Sequence, residues 1–75
     1  MRYRVVFEYQ TEDGAMSDVY NYSEEQQARD KFAELRDDLM HVIDPSTCEV
    51  TDEALLFSLI NRQVGFLGYV RLLED

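Results

Sequence analysis

Between Ser23 and Ile43 the chain carries its one sustained helical pattern, and the segments on either side must be compatible with a single amphipathic helix. Ala28, Phe32, Leu35, Leu39 and then Val42 or Ile43 recur at intervals of three and four residues, which gathers them on one stripe. Ser23-Glu24-Glu25-Gln26 has the form of a capping box, with Ser23 as N-cap and Gln26 able to reach back to it. Glu24 and Glu25 then occupy the first turn, where they complement the helix dipole. The helix is expected to run to about Ile43 and to stop before Pro45, since the residue preceding a proline avoids helical geometry. A single stripe needs one apolar surface to lie on, and a sheet face is the simplest candidate.

The flanks alternate as strands should. Tyr3, Val5, Phe7 and Tyr9 fall on one side, with Arg4, Val6, Glu8 and Gln10 on the other. The Asp13-Gly14 pair predicts a two-residue type I′ turn. With those two residues in the turn, Glu12 pairs with Ala15, Phe7 with Tyr20, Val5 with Tyr22 and Thr11 with Met16, and a second strand runs from Ala15 to Tyr22. Asp18, opposite Tyr9, is the residue out of character on that face. After the helix, Asp44 to Glu49 is a loop by composition.

From Ala54 to Leu73, thirteen of twenty residues are apolar, and two readings fit them. In the favoured one, Leu55–Ile60 and Val64–Leu72 are strands joined by a turn at Asn61-Arg62-Gln63, with Gly65 and Gly68 marking a twisted or bulged segment. In the other, Thr51-Asp52-Glu53 caps a short helix reaching about Asn61. The expected fold is therefore α+β, a small antiparallel sheet packed on one long helix in the order ββαββ, or ββααβ in the second reading, as a single domain over residues 1–75. In the two-strand reading Leu55, Phe57 and Leu59 oppose Leu56 and Ile60, and Val64, Phe66, Val70 and Leu72 oppose Leu67, Tyr69 and Leu73. One helix covers one face only. The other face is left with an apolar patch bordered by the first hairpin, and Val6, Val19, Leu67 and Tyr69 are its candidates for self-association as a homodimer.

A chain of 75 residues has little stability to spare, and disulfides, metals or oligomerisation are the usual reinforcements. Cys48 is the only cysteine and His41 the only histidine, which excludes an internal disulfide, a thiolate zinc cluster and a multi-histidine metal site. No cofactor is expected. The apolar run behind Met1-Arg2-Tyr3-Arg4 is too short for a signal peptide, and none approaches the ~20 residues of a membrane span. A cytoplasmic protein with a reduced thiol and no membrane contact is the expectation. No phosphate loop, nucleophile elbow or zinc motif occurs. His41 follows Asp37 and Asp38, which suits a helix C-terminus better than a catalytic base, and Cys48 has no neighbouring cation to activate it. The chain is expected not to be an enzyme.

Charge carries the functional signal. Seven basic against sixteen acidic residues give a formal charge of −9, and between Glu12 and Glu53 thirteen acids meet only Arg29, Lys31 and Arg36. Direct binding to nucleic acid is disfavoured, because phosphate contacts need Lys and Arg; the natural complement is a basic protein surface. Asp30, Glu34, Asp37, Asp38 and His41 lie opposite the apolar stripe as a ridge. Asp30 with Glu34, and Glu34 with Asp38, are like-charge pairs four residues apart, each costing a few tenths of a kcal/mol. Asp37 and Asp38 also crowd the helix end where the dipole prefers cations. Such local conflicts concentrate at functional positions. Asp13, Asp18, Glu24 and Glu25 extend the acidity, and with the ridge they form the candidate partner-binding face.

Two readings follow. In size, charge and simplicity the chain is similar to small phage-encoded inhibitors of host defence, anti-CRISPR and anti-restriction proteins among them. That similarity implies an inhibitor that mimics nucleic acid and occupies a basic groove of a nucleic-acid-binding protein. The alternative is a homodimeric structural or adaptor module associating through the apolar sheet face, its acidic helix merely solvated.

Overall fold

The computed structural model describes residues 2–74; Met1 and Asp75, the ends of the expected domain, lie outside the described residues. Among the described residues the elements are β1 (Tyr3–Thr11), β2 (Gly14–Tyr22), α1 (Glu25–Val42), a 3-10 turn (Pro45–Thr47), β3 (Glu49–Asp52), β4 (Leu56–Asn61) and β5 (Phe66–Glu74). The strands form one sheet in the order β2-β1-β5-β4-β3, with every neighbouring pair antiparallel. The fold is α+β, with the helix between β2 and β3. The expected order ββαββ is one strand short, because Glu49–Asp52 form a strand where the sequence predicts the end of a loop or the cap of the alternative helix. Its four residues, Glu-Val-Thr-Asp, are all exposed on the sheet edge, so they carry too little apolar alternation to announce a strand. The ββααβ alternative is overturned, since Leu56 to Asn61 alternate between half-buried and buried as a strand of a one-sided sheet does.

The helix lies on one face only. Ala28, Phe32, Leu35 and Leu39 of α1 close over Val5, Phe7, Phe57, Leu59, Phe66, Val70 and Leu72. Ile43 packs against this core from beyond the helix end, whereas Val42 is 57% exposed, which settles the choice between them in favour of Ile43. Leu55 and Val64, expected to open the two C-terminal strands, lie just outside them and are exposed.

Two local expectations are corrected at the first hairpin and helix start. Thr11 pairs with Gly14, so the turn residues are Glu12 and Asp13 and the register differs from the expected one by two: Val5 faces Tyr20, Phe7 faces Asp18 and Tyr9 faces Met16. A type I′ turn needs positive φ at both central residues, and among the described residues only glycines have it. Gly14, with φ +152°, takes that conformation as the first residue of β2 instead, where a side chain would be strained. A slip of two keeps every side chain on its expected face. At the helix start, the N-cap is Glu24 rather than Ser23, no side chain caps it, and Gln26 donates to Asp30 Oδ1 at 2.8 Å. β2 runs on to Tyr22, which packs against the core, the chain bends at Ser23 and Glu24, and Glu24, with φ −112° and ψ 133°, takes the cap position, so no capping box closes on Ser23.

At the opposite end of the sheet, Asn61 is the buried polar residue that organises the β4–β5 turn. Its Oδ1 accepts from the main-chain N–H groups of Gln63 at 3.0 Å and Val64 at 3.3 Å, and its Nδ2 donates to Thr47 Oγ1 at 3.1 Å. The 3-10 turn and the hairpin are thereby tied together with every buried polar atom of that side chain satisfied. Gly68 does not mark a bulge. It pairs regularly with Tyr9 and Leu59, and faces α1.

Candidate functional site

The acidic residues divide into groups by their place in the fold. Asp30, Glu34, Asp37 and Asp38 are exposed on the solvent face of α1. Leu39 meets β5 at Gly68, the rung opposite Tyr9, so the end of α1 bearing Asp37 and Asp38 lies towards the sheet end that carries the Glu12–Asp13 turn. Glu24 and Glu25 sit at the other end. Asp18 is half-buried in mid-strand, on the helix side of β2.

The ridge is partly compensated from within. Lys31 Nζ donates to Glu34 at 2.6 Å, and that hydrogen bond raises the Lys31 pKa; the same ammonium lies 4.6 Å from the centre of the Tyr20 ring. Arg29 pairs with Glu25 at 2.9 Å on the exposed surface, and Gln26 donates to Asp30. Asp37 and Asp38 have no ion-pair partner among the described residues. His41 does not pair with their carboxylates; its Nδ1 lies 2.7 Å from the main-chain oxygen of Asp37, to which it donates.

The second surface is the face of the sheet that α1 leaves open. Successive rungs from β2 across to β5 or β4 read Asn21-Arg4-Leu73, Val19-Val6-Arg71-Leu56, Ser17-Glu8-Tyr69-Ser58 and Ala15-Gln10-Leu67-Ile60. All four candidates for self-association, Val6, Val19, Leu67 and Tyr69, are therefore on this face. At its centre the Glu8 carboxylate accepts from Ser17 Oγ at 3.2 Å and faces Tyr69 across the β1–β5 rung, where its proximity raises the Tyr69 pKa. Glu8, Gln10, Ala15, Ser17, Leu67 and Tyr69 line a shallow recess of about 240 Å³. The Ser17–Glu8–Tyr69 contact and the two arginines, Arg4 and Arg71, are features the sequence reading missed. Its register placed Val19 opposite Glu8, although the alternation along β1 and β5 already put all these residues outward.

Among the described residues no three His, Cys, Asp or Glu side chains are placed to hold a metal ion, and no helix is long and apolar enough to cross a membrane. Cys48 is half-buried, its thiol 3.6 Å from the main-chain oxygen of Asp44. Asp44 caps the 3-10 turn, accepting from Ser46 N–H at 3.0 Å and Ser46 Oγ at 2.8 Å, and these bonds hold its carboxyl below the ordinary 3.8. A carboxyl with a depressed folded pKa stabilises above its unfolded pKa and loses that contribution as pH falls through the folded value. Asp44→Ala should thus melt below the wild type at neutral pH, with the gap narrowing well below pH 3.8, as followed by circular dichroism. A constant gap would remove the carboxylate from the account.

Comparison with known proteins returns no matching family, no similar curated protein and no similar solved structure.

Proposed function

We propose that this chain is a non-enzymatic binding protein whose acidic helix face docks on a basic groove of a larger, nucleic-acid-binding protein and inhibits it by occupying that groove. Asp37 and Asp38 carry the reading. They are exposed, they stand near the helix end where the dipole disfavours anions, and among the described residues no cation is paired with them. For the isolated domain this arrangement is a cost; a cation supplied from outside offsets it. Glu34 and Asp30 extend the same exposed face by one and two further turns. Lysines and arginines spaced for phosphates are the matching chemistry, and a net charge of −9 steers such an encounter.

The test is charge reversal. Glu34→Lys combined with Asp38→Lys is expected to weaken binding to the basic partner at least roughly 30-fold, and wild-type affinity is expected to fall as salt is raised. Titration of a partner captured from the native host, at low and physiological ionic strength, reads both. If the reversed variant, shown folded by circular dichroism, binds that partner undiminished, the ridge is a solvated face and the proposal fails.

A further inference from the structure

We infer that the open face of the sheet is a homodimer interface, covered by the same face of a second copy in a helix–sheet–sheet–helix sandwich. This surface is distinct from the acidic ridge, and the inference stands or falls independently of the function proposed above.

Four observations choose a second copy as the occupant. The first is charge. Arg4 and Arg71 on this face match Glu8 and Glu49 in number, and Glu49 is paired with Arg62 at 3.6 Å besides, so the formal −9 of the chain lies elsewhere, on the helix side, the turns and the ends. Two acidic molecules can meet here without like charges at the contact, whereas their helix faces point away from each other. The second is pattern. Arg4 and Arg71 lie towards one end of the face, and Glu8 and Glu49 lie in the middle and at the other end. A two-fold axis lying in the interface, across the strands, turns one copy end for end. That sets each strand over its own counterpart with the rungs reversed, bringing Arg71 of each copy over Tyr69 and beside Glu8 of the other and Arg4 over Gln10, as a self-complementary patch requires.

The third observation is area. Five strands spaced about 4.8 Å apart, the longest of nine residues at about 3.3 Å each, present roughly 500–700 Å² per copy. Both copies together bury roughly 1,000–1,400 Å², which clears the lower limit of a specific interface at about 1,000 Å². The fourth is what would be covered. Val6, Val19, Leu56, Ile60, Leu67 and Leu73 are exposed or half-buried on this face. Of the two carboxylates there, Glu8 already accepts a hydrogen bond from Ser17 Oγ of its own chain and Glu49 is paired with Arg62 at 3.6 Å, so neither goes under the contact without a partner. The chain has no disulfide or multi-histidine metal site to reinforce its small core, and this contact supplies that reinforcement.

Sedimentation of the full chain between about 1 μM and about 100 μM tests the inference. A mass of about twice 8.8 kDa is expected for the wild type. Leu67→Asp, a substitution at a position 39% exposed, and Val19→Asp, at one 51% exposed, should each give the monomer with an unchanged helical circular dichroism spectrum. Leu67 stands on β5, two strands away from the free edge of β2, so its effect separates face packing from edge-to-edge pairing. A wild type that stays monomeric throughout overturns the inference. So does a dimer that survives in both folded variants.

Discussion

Leu39→Ala is expected to remove about 2–5 kcal/mol of folding stability, the range for deleting a fully buried leucine side chain. Leu39 has no exposed surface and reaches down from α1 onto β5, where its Cδ2 occupies the space above Gly68. The cavity left by alanine cannot collapse easily, because the sheet below it is a continuous ladder and Phe66 and Leu59 flank the site. At roughly 0.05–0.15 kcal/mol per residue, a domain of this size has only about 4–11 kcal/mol in total. One substitution therefore takes a large share of what holds the fold. Urea unfolding should show a lower midpoint with an unchanged slope, and Val42→Ala, three residues on but 57% exposed, should stay within about 0.5 kcal/mol of wild type. Equal losses for the two would mean that the helix is not seated as described.

That contrast also marks what was legible in the sequence. The stripe from Ala28 to Leu39 was readable because eighteen residues of helix repeat one pattern many times. Its final member, Val42 or Ile43, was not, because the chain leaves helical geometry there and periodicity no longer says which residue turns inwards. The faces of β1, β4 and β5 followed from alternation, and survive any even slip. Register does not. The Asp13-Gly14 pair suggested a turn one residue too late, since Gly14 uses its freedom inside the strand. β3 was invisible for another reason: an edge strand of four exposed residues owes its pairing to Ile60, Leu59, Ser58 and Phe57 on β4, not to its own pattern.

The candidate surfaces were legible to different depths. Composition located the acidic excess, and helical spacing placed Asp30, Glu34, Asp37 and Asp38 on one face. Which of those charges are compensated depends on side-chain contacts, such as Lys31 with Glu34, that spacing alone leaves open among several partners. The uncovered sheet face followed from counting layers, since one helix covers one side. Its charge balance did not, because it depends on which strands become neighbours: β1 and β5 are far apart in the chain but adjacent in the sheet, and that adjacency brings Glu8 to Tyr69 and Val6 to Arg71.

Gly68→Val is the second substitution with a large expected effect, a loss of about 1–3 kcal/mol even though valine is the better strand former. Gly68 needs no unusual backbone, and its place in the ladder is regular. What it provides is room. A Cβ built there would stand 2.8 Å from Leu39 Cδ2 and 3.1 Å from two ring atoms of Phe66, so α1 can approach β5 closely only because that atom is missing. Valine adds two methyl groups beyond the Cβ, and the fully buried leucine above has little space into which to withdraw. The mechanism predicts its own partial cure. In Gly68→Val with Leu39→Ala the valine side chain enters the cavity that alanine opens, so the double variant should lose less than the two single losses added, by about 0.5–3 kcal/mol in a double-mutant cycle. Strict additivity in urea midpoints would show that the glycine serves something other than the helix–sheet contact. A coupling in that range would identify Leu39 and Gly68 as a fitted pair, setting the distance at which the helix and its acidic outer face are held above the sheet.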